Sequence, residues 1–216
     1  MLSHSEAMPM KVKAIDKGLG LILVALAVLT SCSTTPPRNT KDGCEIFDEK
    51  SGWYKAAFKS ARRWGVSVSI QLAIIYQESR FKHDAKTPRG RLLWVIPWGR
   101  QSSAYGYAQV QDGTWRWYQR DTGNRGARRD NFKDVVDFIG WYNHENSRRL
   151  GIAKTDAYRL YLAYHEGHAG YARGSYRKKP WLLEVARKVE QRAASYAEQM
   201  RRCEHRLDRG WRIWPF

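Results

Sequence analysis

The strongest constraint on folding is an apolar run that ends in polar and charged residues. Residues 70–76 are almost entirely apolar, and residues 77–81 then read Gln-Glu-Ser-Arg-Phe. In a helix, Ile74, Ile75 and Glu78 lie on one face because they are spaced by three and four positions. Burial of a carboxylate on such a face is costly and raises its pKa toward neutrality, which makes it available as a general acid. A local salt bridge of Glu78, for example with Arg80, is the alternative interpretation.

Two later stretches extend this pattern. Residues 103–109 read Ser-Ala-Tyr-Gly-Tyr-Ala-Gln, ahead of Gly-Thr-Trp at 113–115, and residues 163–167 read Ala-Tyr-His-Glu-Gly. With the block at Glu78, they resemble the lytic transglycosylases of the SLT, goose-lysozyme-like superfamily. Its pattern is Glu-Ser-x-Phe-x-x-x-Ala, then Gly-Leu-Met-Gln-x-x-x-x-Thr, then Ala-Tyr-Asn-x-Gly. The matching positions are Glu78, Ser79, Phe81, Ala85, Gly106, Gln109, Thr114, Ala163, Tyr164 and Gly167.

The chain also departs from the family pattern. Tyr107 and Ala108 stand in place of Leu and Met, and His165 stands in place of Asn. These departures indicate a divergent subgroup. The resemblance implies a lysozyme-like single domain, and the apolar spacing of four segments independently predicts a mainly α fold with at most a small β element.

The resemblance also implies a reaction. In the family a single Glu, here Glu78, protonates the leaving oxygen of the MurNAc–GlcNAc β-1,4 bond. It then takes the proton of the muramyl C6 hydroxyl, so that a 1,6-anhydro ring forms and no water or cofactor is consumed. Tyr164 is expected to orient the Glu, and His165 to supply the hydrogen bond of the missing Asn. The substrate contacts implied are Ser79, Gln109, Tyr164, His165 and Tyr107.

Other interpretations fit the same residues. The Ser79 hydroxyl can bond the backbone at a helix end, Gln109 can be structural, and Tyr164 can be a core aromatic. Hydrolysis by a muramidase requires a second carboxylate to position water, for which Asp84 and Asp112 are the candidates. A catalytically inactive, glycan-binding envelope lipoprotein would keep the cleft without turnover.

The first 31 residues have the anatomy of a bacterial export signal. Three lysines precede an apolar run over residues 19–29, which is too short to span a bilayer. Residues 29–32 read Leu-Thr-Ser-Cys, like a lipoprotein processing site, so we expect lipidation of Cys32. The serine that follows suggests the outer membrane in family terms, and an ordinary signal peptide or an uncleaved anchor is the alternative. Residues 32–43 are rich in Pro and Thr and predict a flexible tether.

Two further cysteines lie at the ends of the predicted domain, residues 44–203. Because export places Cys44 and Cys203 in an oxidising compartment, we expect a disulfide between them, with two unrelated buried thiols as the alternative. Residues 204–216 form a basic, aromatic tail that packs on the domain or lies at a lipid surface.

The formal net charge of +17 points to polyanionic surroundings. Nucleic acid would suit this charge, but the export signal favours the cell envelope. We therefore expect two partners, the peptidoglycan glycan strand and a membrane reached through the lipid anchor, at the periplasmic side of the outer membrane. A zinc site at His165, Glu166 and His168 is not expected, because the spacing differs from His-Glu-x-x-His.

Helix boundaries are also encoded locally. A helix over residues 52–63 is expected to end at Gly65, Ser67 to cap the next helix, and Gly151 to end a third. Asp156 or Thr155 is expected to cap a short helix, and Pro180 to open the last one. A short strand is expected over 92–96, followed by a turn over 97–100, and a further helix is expected over 106–118. Trp94 and Trp98 are expected either to stack on sugars or to fill the core.

Overall fold

The computed structural model describes residues 35–86, 89–92, 96–100 and 102–212. The predicted signal peptide, Cys32, the first residues of the tether, Trp94 and the last four residues lie outside this part of the chain. Among the described residues, no helix is both long and apolar enough to span a membrane.

Seven α-helices and one small sheet make up the described part, which confirms the mainly α prediction. Strands β1 and β2 form an antiparallel pair in which Leu92 is opposite Ile96. The elements in chain order are α1 (Gly43–Glu49), α2 (Trp53–Trp64), α3 (Val68–Ser79), β1 (Arg89–Leu92), β2 (Ile96–Arg100), α4 (Asp112–Thr122), α5 (Phe132–Leu150), α6 (Ala157–Ala172), a 3-10 turn (Ser175–Lys178) and α7 (Pro180–Arg212).

Helix α3 is the central element of the core. Every residue from Val68 to Ile75 is buried, and all of them except Ser69 and Gln71 are apolar. Its N-terminus is capped by Ser67, whose hydroxyl accepts a hydrogen bond from the Ile70 amide at 3.4 Å. Helices α2, α5 and α7 pack around it. The last turn of α3, which carries Glu78, is therefore held in place by its whole surroundings.

Helix α7 covers α3 with a stripe of apolar residues. Leu182, Ala186 and Val189 are buried, and so is Cys203 farther along the helix. The Sγ atom of Cys203 lies 2.12 Å from that of Cys44, so the two cysteines form a disulfide in the structure. A bond closing a loop this long stabilises the fold by at most roughly 5 kcal/mol in the chain-entropy model.

Part of the expected tail belongs to this helix. Helix α7 continues past Cys203 to Arg212, and the Tyr54 hydroxyl on α2 donates to Asp208 at 3.0 Å. The boundary expected at residue 204 is not a structural boundary, because Leu207 continues the apolar stripe and packs against the core.

Two local expectations are wrong. Helix α4 begins at Asp112 and not at Gly106, because Gly106 and Gln109 have φ angles of +78° and +47° that a right-handed helix excludes. The apolar run expected as one strand over 92–96 is divided between β1 and β2, and the expected turn over 97–100 lies within β2. A short apolar run cannot by itself show where a hairpin folds.

Gly106 offers a test of this turn. A Cβ atom at Gly106 would lie 2.1 Å from the carbonyl oxygen of Arg129, and its φ is left-handed. We expect Gly106→Ala to lower the free energy of unfolding by at least roughly 2 kcal/mol. Urea denaturation followed by circular dichroism measures it.

Gly113→Ala is the matched control. A Cβ at Gly113, in the first turn of α4, would meet no atom within 4 Å. Its effect should lie within about 1 kcal/mol, in the stabilising direction. Equal effects of the two substitutions would contradict the close approach at Gly106.

Candidate active site

The three sequence blocks meet at one cleft of about 600 Å³. Glu78 enters it from the end of α3, Gln109 and Thr114 from the segment before and within α4, and Tyr164 and His165 from α6. Aromatic side chains of α5 complete the wall. Residues that are far apart in the sequence are thus brought together around one carboxyl group.

Burial dominates the electrostatics of Glu78. It raises the pKa of the carboxyl from 4.5 to about 7, and a hydrogen bond from the Tyr161 hydroxyl acts in the opposite direction by favouring the carboxylate. Among the described residues, Glu78 has no salt bridge, and the Arg80 guanidinium lies over the Tyr76 ring at 5.9 Å. The group can therefore exist in both protonation states near neutral pH.

The chain leaves α3 through a strained turn. Arg80 and Phe81 both have left-handed φ angles, of 52° and 63°. A bulky residue is rarely found in this region, so the surroundings must stabilise it. The Phe81 side chain is fully buried beside Trp53, whose ring stacks on Phe132 at a centroid distance of 3.7 Å. This packing fixes the direction of the chain immediately after Glu78.

The two tyrosines of α6 have different partners. The Tyr164 hydroxyl donates to the carbonyl oxygen of Ala108 at 2.7 Å, which joins α6 to the segment before α4. The hydroxyl that is hydrogen-bonded to Glu78 belongs to Tyr161, while burial and the nearby Glu78 charge both raise the pKa of Tyr164. Tyr161 was not singled out from the sequence. Its position three residues before Tyr164, on the same side of a helix, was the available signal.

Two expected substrate contacts do not line the cleft. The Ser79 side chain is buried, and its hydroxyl donates to the carbonyl oxygen of Ile75 at 3.3 Å. Tyr107 is only 2% exposed and packs edge-on against Trp53 and Phe132. The expected contact of Tyr107 with substrate is thus corrected, because its ring fills the aromatic core and burial raises its pKa to about 12.

Gln109 does line the cleft. Its side-chain nitrogen donates to the carbonyl oxygens of Ala85 and Gly106, both at 2.9 Å. These two bonds hold the chain after α3 against the turn at Gly106. Because they use only the nitrogen, the amide oxygen is the atom of Gln109 that a ligand hydroxyl can approach.

A second carboxylate, Glu166, lies in the same cleft. Its side chain is only 4% exposed and accepts hydrogen bonds from Lys179 at 2.7 Å, from His165 at 3.0 Å and from Ser175. Burial alone would raise its pKa, but these three donors outweigh burial and hold the pKa at about 2. Sequence reasoning missed Glu166 because its partners lie up to thirteen residues away.

The carboxylates considered from the sequence lie elsewhere. Neither Asp84 nor Asp112 lines the cleft; Asp84 is exposed, and Asp112 pairs with Arg129 at 2.8 Å. In the described part of the chain, no group of three His, Cys, Asp or Glu side chains is arranged to hold a metal ion. His168 packs on Tyr142 with ring centroids 5.2 Å apart, and burial lowers its pKa.

Comparison with known proteins agrees with this geometry. The family model of the transglycosylase SLT domain matches residues 20–203, which is most of the chain. A comparison with curated proteins found no match. The chain therefore belongs to the transglycosylase SLT domain family, whose members act on peptidoglycan in the cell envelope.

Proposed function

We propose that the protein is a lytic transglycosylase that cleaves the MurNAc–GlcNAc β-1,4 bond of peptidoglycan without water. The observation that carries the proposal is the carboxyl group of Glu78, which has a pKa of about 7 in a cleft built from all three family blocks. A pKa near the working pH suits a group that must first donate a proton and then accept one.

The proposed reaction uses Glu78 twice. The protonated carboxyl gives its proton to the glycosidic oxygen as the bond from that oxygen to the muramyl C1 breaks. The resulting carboxylate then takes the proton of the C6 hydroxyl while O6 bonds to C1. The products are a 1,6-anhydromuramyl end and a free hydroxyl on the leaving sugar, and Glu78 is again protonated. The Tyr161 hydroxyl stabilises the carboxylate between the two steps.

The other cleft residues would bind and orient the strand. Gln109 offers its amide oxygen, and His165 offers the ring nitrogen that Glu166 does not engage. Tyr164 keeps the cleft in shape through its bond to Ala108. Ser79 would act through the end of α3, since its hydroxyl bonds the backbone.

Hydrolysis is the second candidate, because Glu166 supplies another carboxylate in the cleft. Glu166 is poorly suited to activate water, since Lys179, Ser175 and His165 already occupy its oxygens and its pKa of about 2 makes it a weak base. Non-hydrolytic cleavage is therefore favoured, and the two reactions differ in their products.

The substitution Glu78→Gln tests the catalytic role. It keeps the shape of the side chain and removes its proton, so turnover should fall by at least about a hundredfold while glycan binding persists. Mass spectrometry of digested peptidoglycan should show 1,6-anhydromuramyl products for the parent protein, whereas reducing ends would mean hydrolysis.

Glu190→Gln, at an exposed position on α7, is the control for this test and should leave turnover unchanged. Full activity of Glu78→Gln would overturn the assignment of Glu78. Binding of glycan without any turnover by the parent protein would support an inactive, glycan-binding lipoprotein instead.

The raised pKa of Glu78 also predicts a pH dependence of stability. Below about pH 4.5 the carboxyl is neutral in both the folded and the unfolded state, so burial carries no charge penalty. As the pH rises from about 4.5 to about 7, the unfolded state ionises while the folded state keeps its proton, so the folded state loses up to roughly 3 kcal/mol of relative stability.

Glu78→Gln removes this penalty. Its unfolding free energy relative to the parent protein should thus rise from pH 4 to pH 8 by up to roughly 3 kcal/mol. Urea denaturation at the two pH values measures the difference, with Glu190→Gln as control. A constant difference across this range would show that the carboxyl is not buried in its charged form.

We also propose that the protein is an outer-membrane lipoprotein anchored through Cys32 and facing the periplasm. Support comes from the Leu-Thr-Ser-Cys sequence after an apolar run and from the Pro- and Thr-rich segment that follows. In Cys32→Ala, export should continue but the protein should leave the membrane fraction for the soluble one. Unchanged membrane association would argue for an uncleaved anchor or for attachment through the aromatic tail.

A further inference from the structure

Trp181 is the exposed large hydrophobic side chain among the residues whose burial the structure describes. It is 55% exposed, although its neighbour Leu182 is fully buried in the stripe of α7. The indole therefore points away from the helix face that builds the core. Single exposed apolar residues are common, so exposure alone assigns no role.

The position of Trp181 supplies the second observation. Its ring lies edge-on to the His165 imidazole, with a centroid distance of 5.3 Å and an interplanar angle of 78°. His165 lines the cleft that also contains Glu78. The indole thus continues the wall of this cleft onto the adjacent surface.

A network of hydrogen bonds around the buried Glu166 carboxylate fixes the two rings. Glu166 accepts from His165 on α6, from Ser175 on the 3-10 turn and from Lys179, two residues before Trp181. Because the Glu166 side chain is 4% exposed and its pKa is held at about 2, these bonds persist over the whole neutral range. One carboxylate therefore joins the three elements that present the imidazole and the indole.

The bend of α6 directs this carboxylate toward its partners. Gly167 interrupts the helix with φ 68° and ψ 166°, a conformation that side chains rarely adopt. The imidazole donates from Nδ1 to the Glu166 carboxylate, so Nε2 is the ring nitrogen that can bind a ligand. A rigid aromatic face beside a polar ring nitrogen suits a pyranose, which has both an apolar C–H face and hydroxyl groups.

We propose that Trp181 and His165 form a saccharide subsite at the His165 end of the cleft, with Glu166 as its positioning residue. The ligand is a sugar of the β-1,4-linked strand, one or more rings away from the bond at Glu78. This inference rests on the proposed function for the identity of the strand and extends it by assigning an additional binding position.

Binding in the inactive Glu78→Gln background tests the subsite. The probes are β-1,4-linked N-acetylglucosamine oligomers of two to six units, with affinity measured by titration calorimetry. The parent should bind longer oligomers more tightly once they reach the indole. Trp181→Ala should remove this gain, with up to roughly tenfold weaker binding of the hexamer, and Trp181→Phe should keep part of it.

The control is Arg187→Ala, at an exposed position on the same helix, which should leave every affinity unchanged. If Trp181→Ala binds all lengths as tightly as its parent, no sugar rests on the indole and the subsite is overturned. Since Trp181 is exposed, its replacement should leave the melting temperature unchanged, so a loss of binding would report on contact and not on folding.

Glu166→Gln tests the positioning role separately. Replacement of the carboxylate should release the His165 ring, which nitrogen-detected NMR reports as a change of its tautomer. Hexamer binding should weaken, and the combination with Trp181→Ala should weaken it no further than Trp181→Ala alone. Unchanged imidazole signals, or fully additive losses, would overturn the role of Glu166.

These outcomes are separable from those of the proposed function. Cleavage by the wild-type protein together with length-independent binding would remove the subsite and leave the transglycosylase intact. Absence of cleavage together with loss of hexamer binding in Trp181→Ala would remove the proposed reaction and leave the subsite as part of a glycan-binding protein.

Discussion

The burial of the Glu78 carboxyl is the interaction on which the site depends. Helix α3 is surrounded by protein from Val68 to Ile75, so its last turn delivers a carboxyl group into a cleft with little water on the helix side. A group placed there keeps its proton to about pH 7. The packing of α7 over α3 thus contributes to the raised pKa of Glu78, and the disulfide between Cys44 and Cys203 ties α7 to α1.

Backbone strain is concentrated around the same group. In the described part of the chain, the non-glycine residues with positive φ are Arg80, Phe81 and Gln109. Two of them lie two and three residues after Glu78, and the Gln109 side chain donates a hydrogen bond to the carbonyl oxygen of Ala85. Each such conformation costs about 1–3 kcal/mol, which the stacked aromatic rings beneath the turn offset. The core stabilises a backbone path that local preferences would not choose.

Local signals predicted the helices well and their contacts poorly. Ser67, Gly65, Gly151 and Pro180 mark boundaries where the structure has them, because caps and stops depend on the adjacent backbone. The turn at Gly106 depends on the Arg129 carbonyl, which is distant in sequence. The partners of Glu166 and the hydrogen bonds of Tyr161 and Tyr164 likewise depend on tertiary contacts. The spacing of apolar residues therefore predicted the helices but not the partner of each hydroxyl group.

The two glutamates of the cleft have pKa values shifted in opposite directions by their surroundings. Glu166 is buried with three donors and stays charged, whereas Glu78 is desolvated beside one hydroxyl donor and populates both protonation states near pH 7. The pKa of Glu78 is raised by burial and lowered by the Tyr161 hydroxyl, whereas Glu166 is paired with Lys179 at 2.7 Å. Desolvation is not screened by salt, unlike the attraction between distant charges. The protonation of Glu78 is therefore governed by its local surroundings, in a protein whose formal net charge is +17.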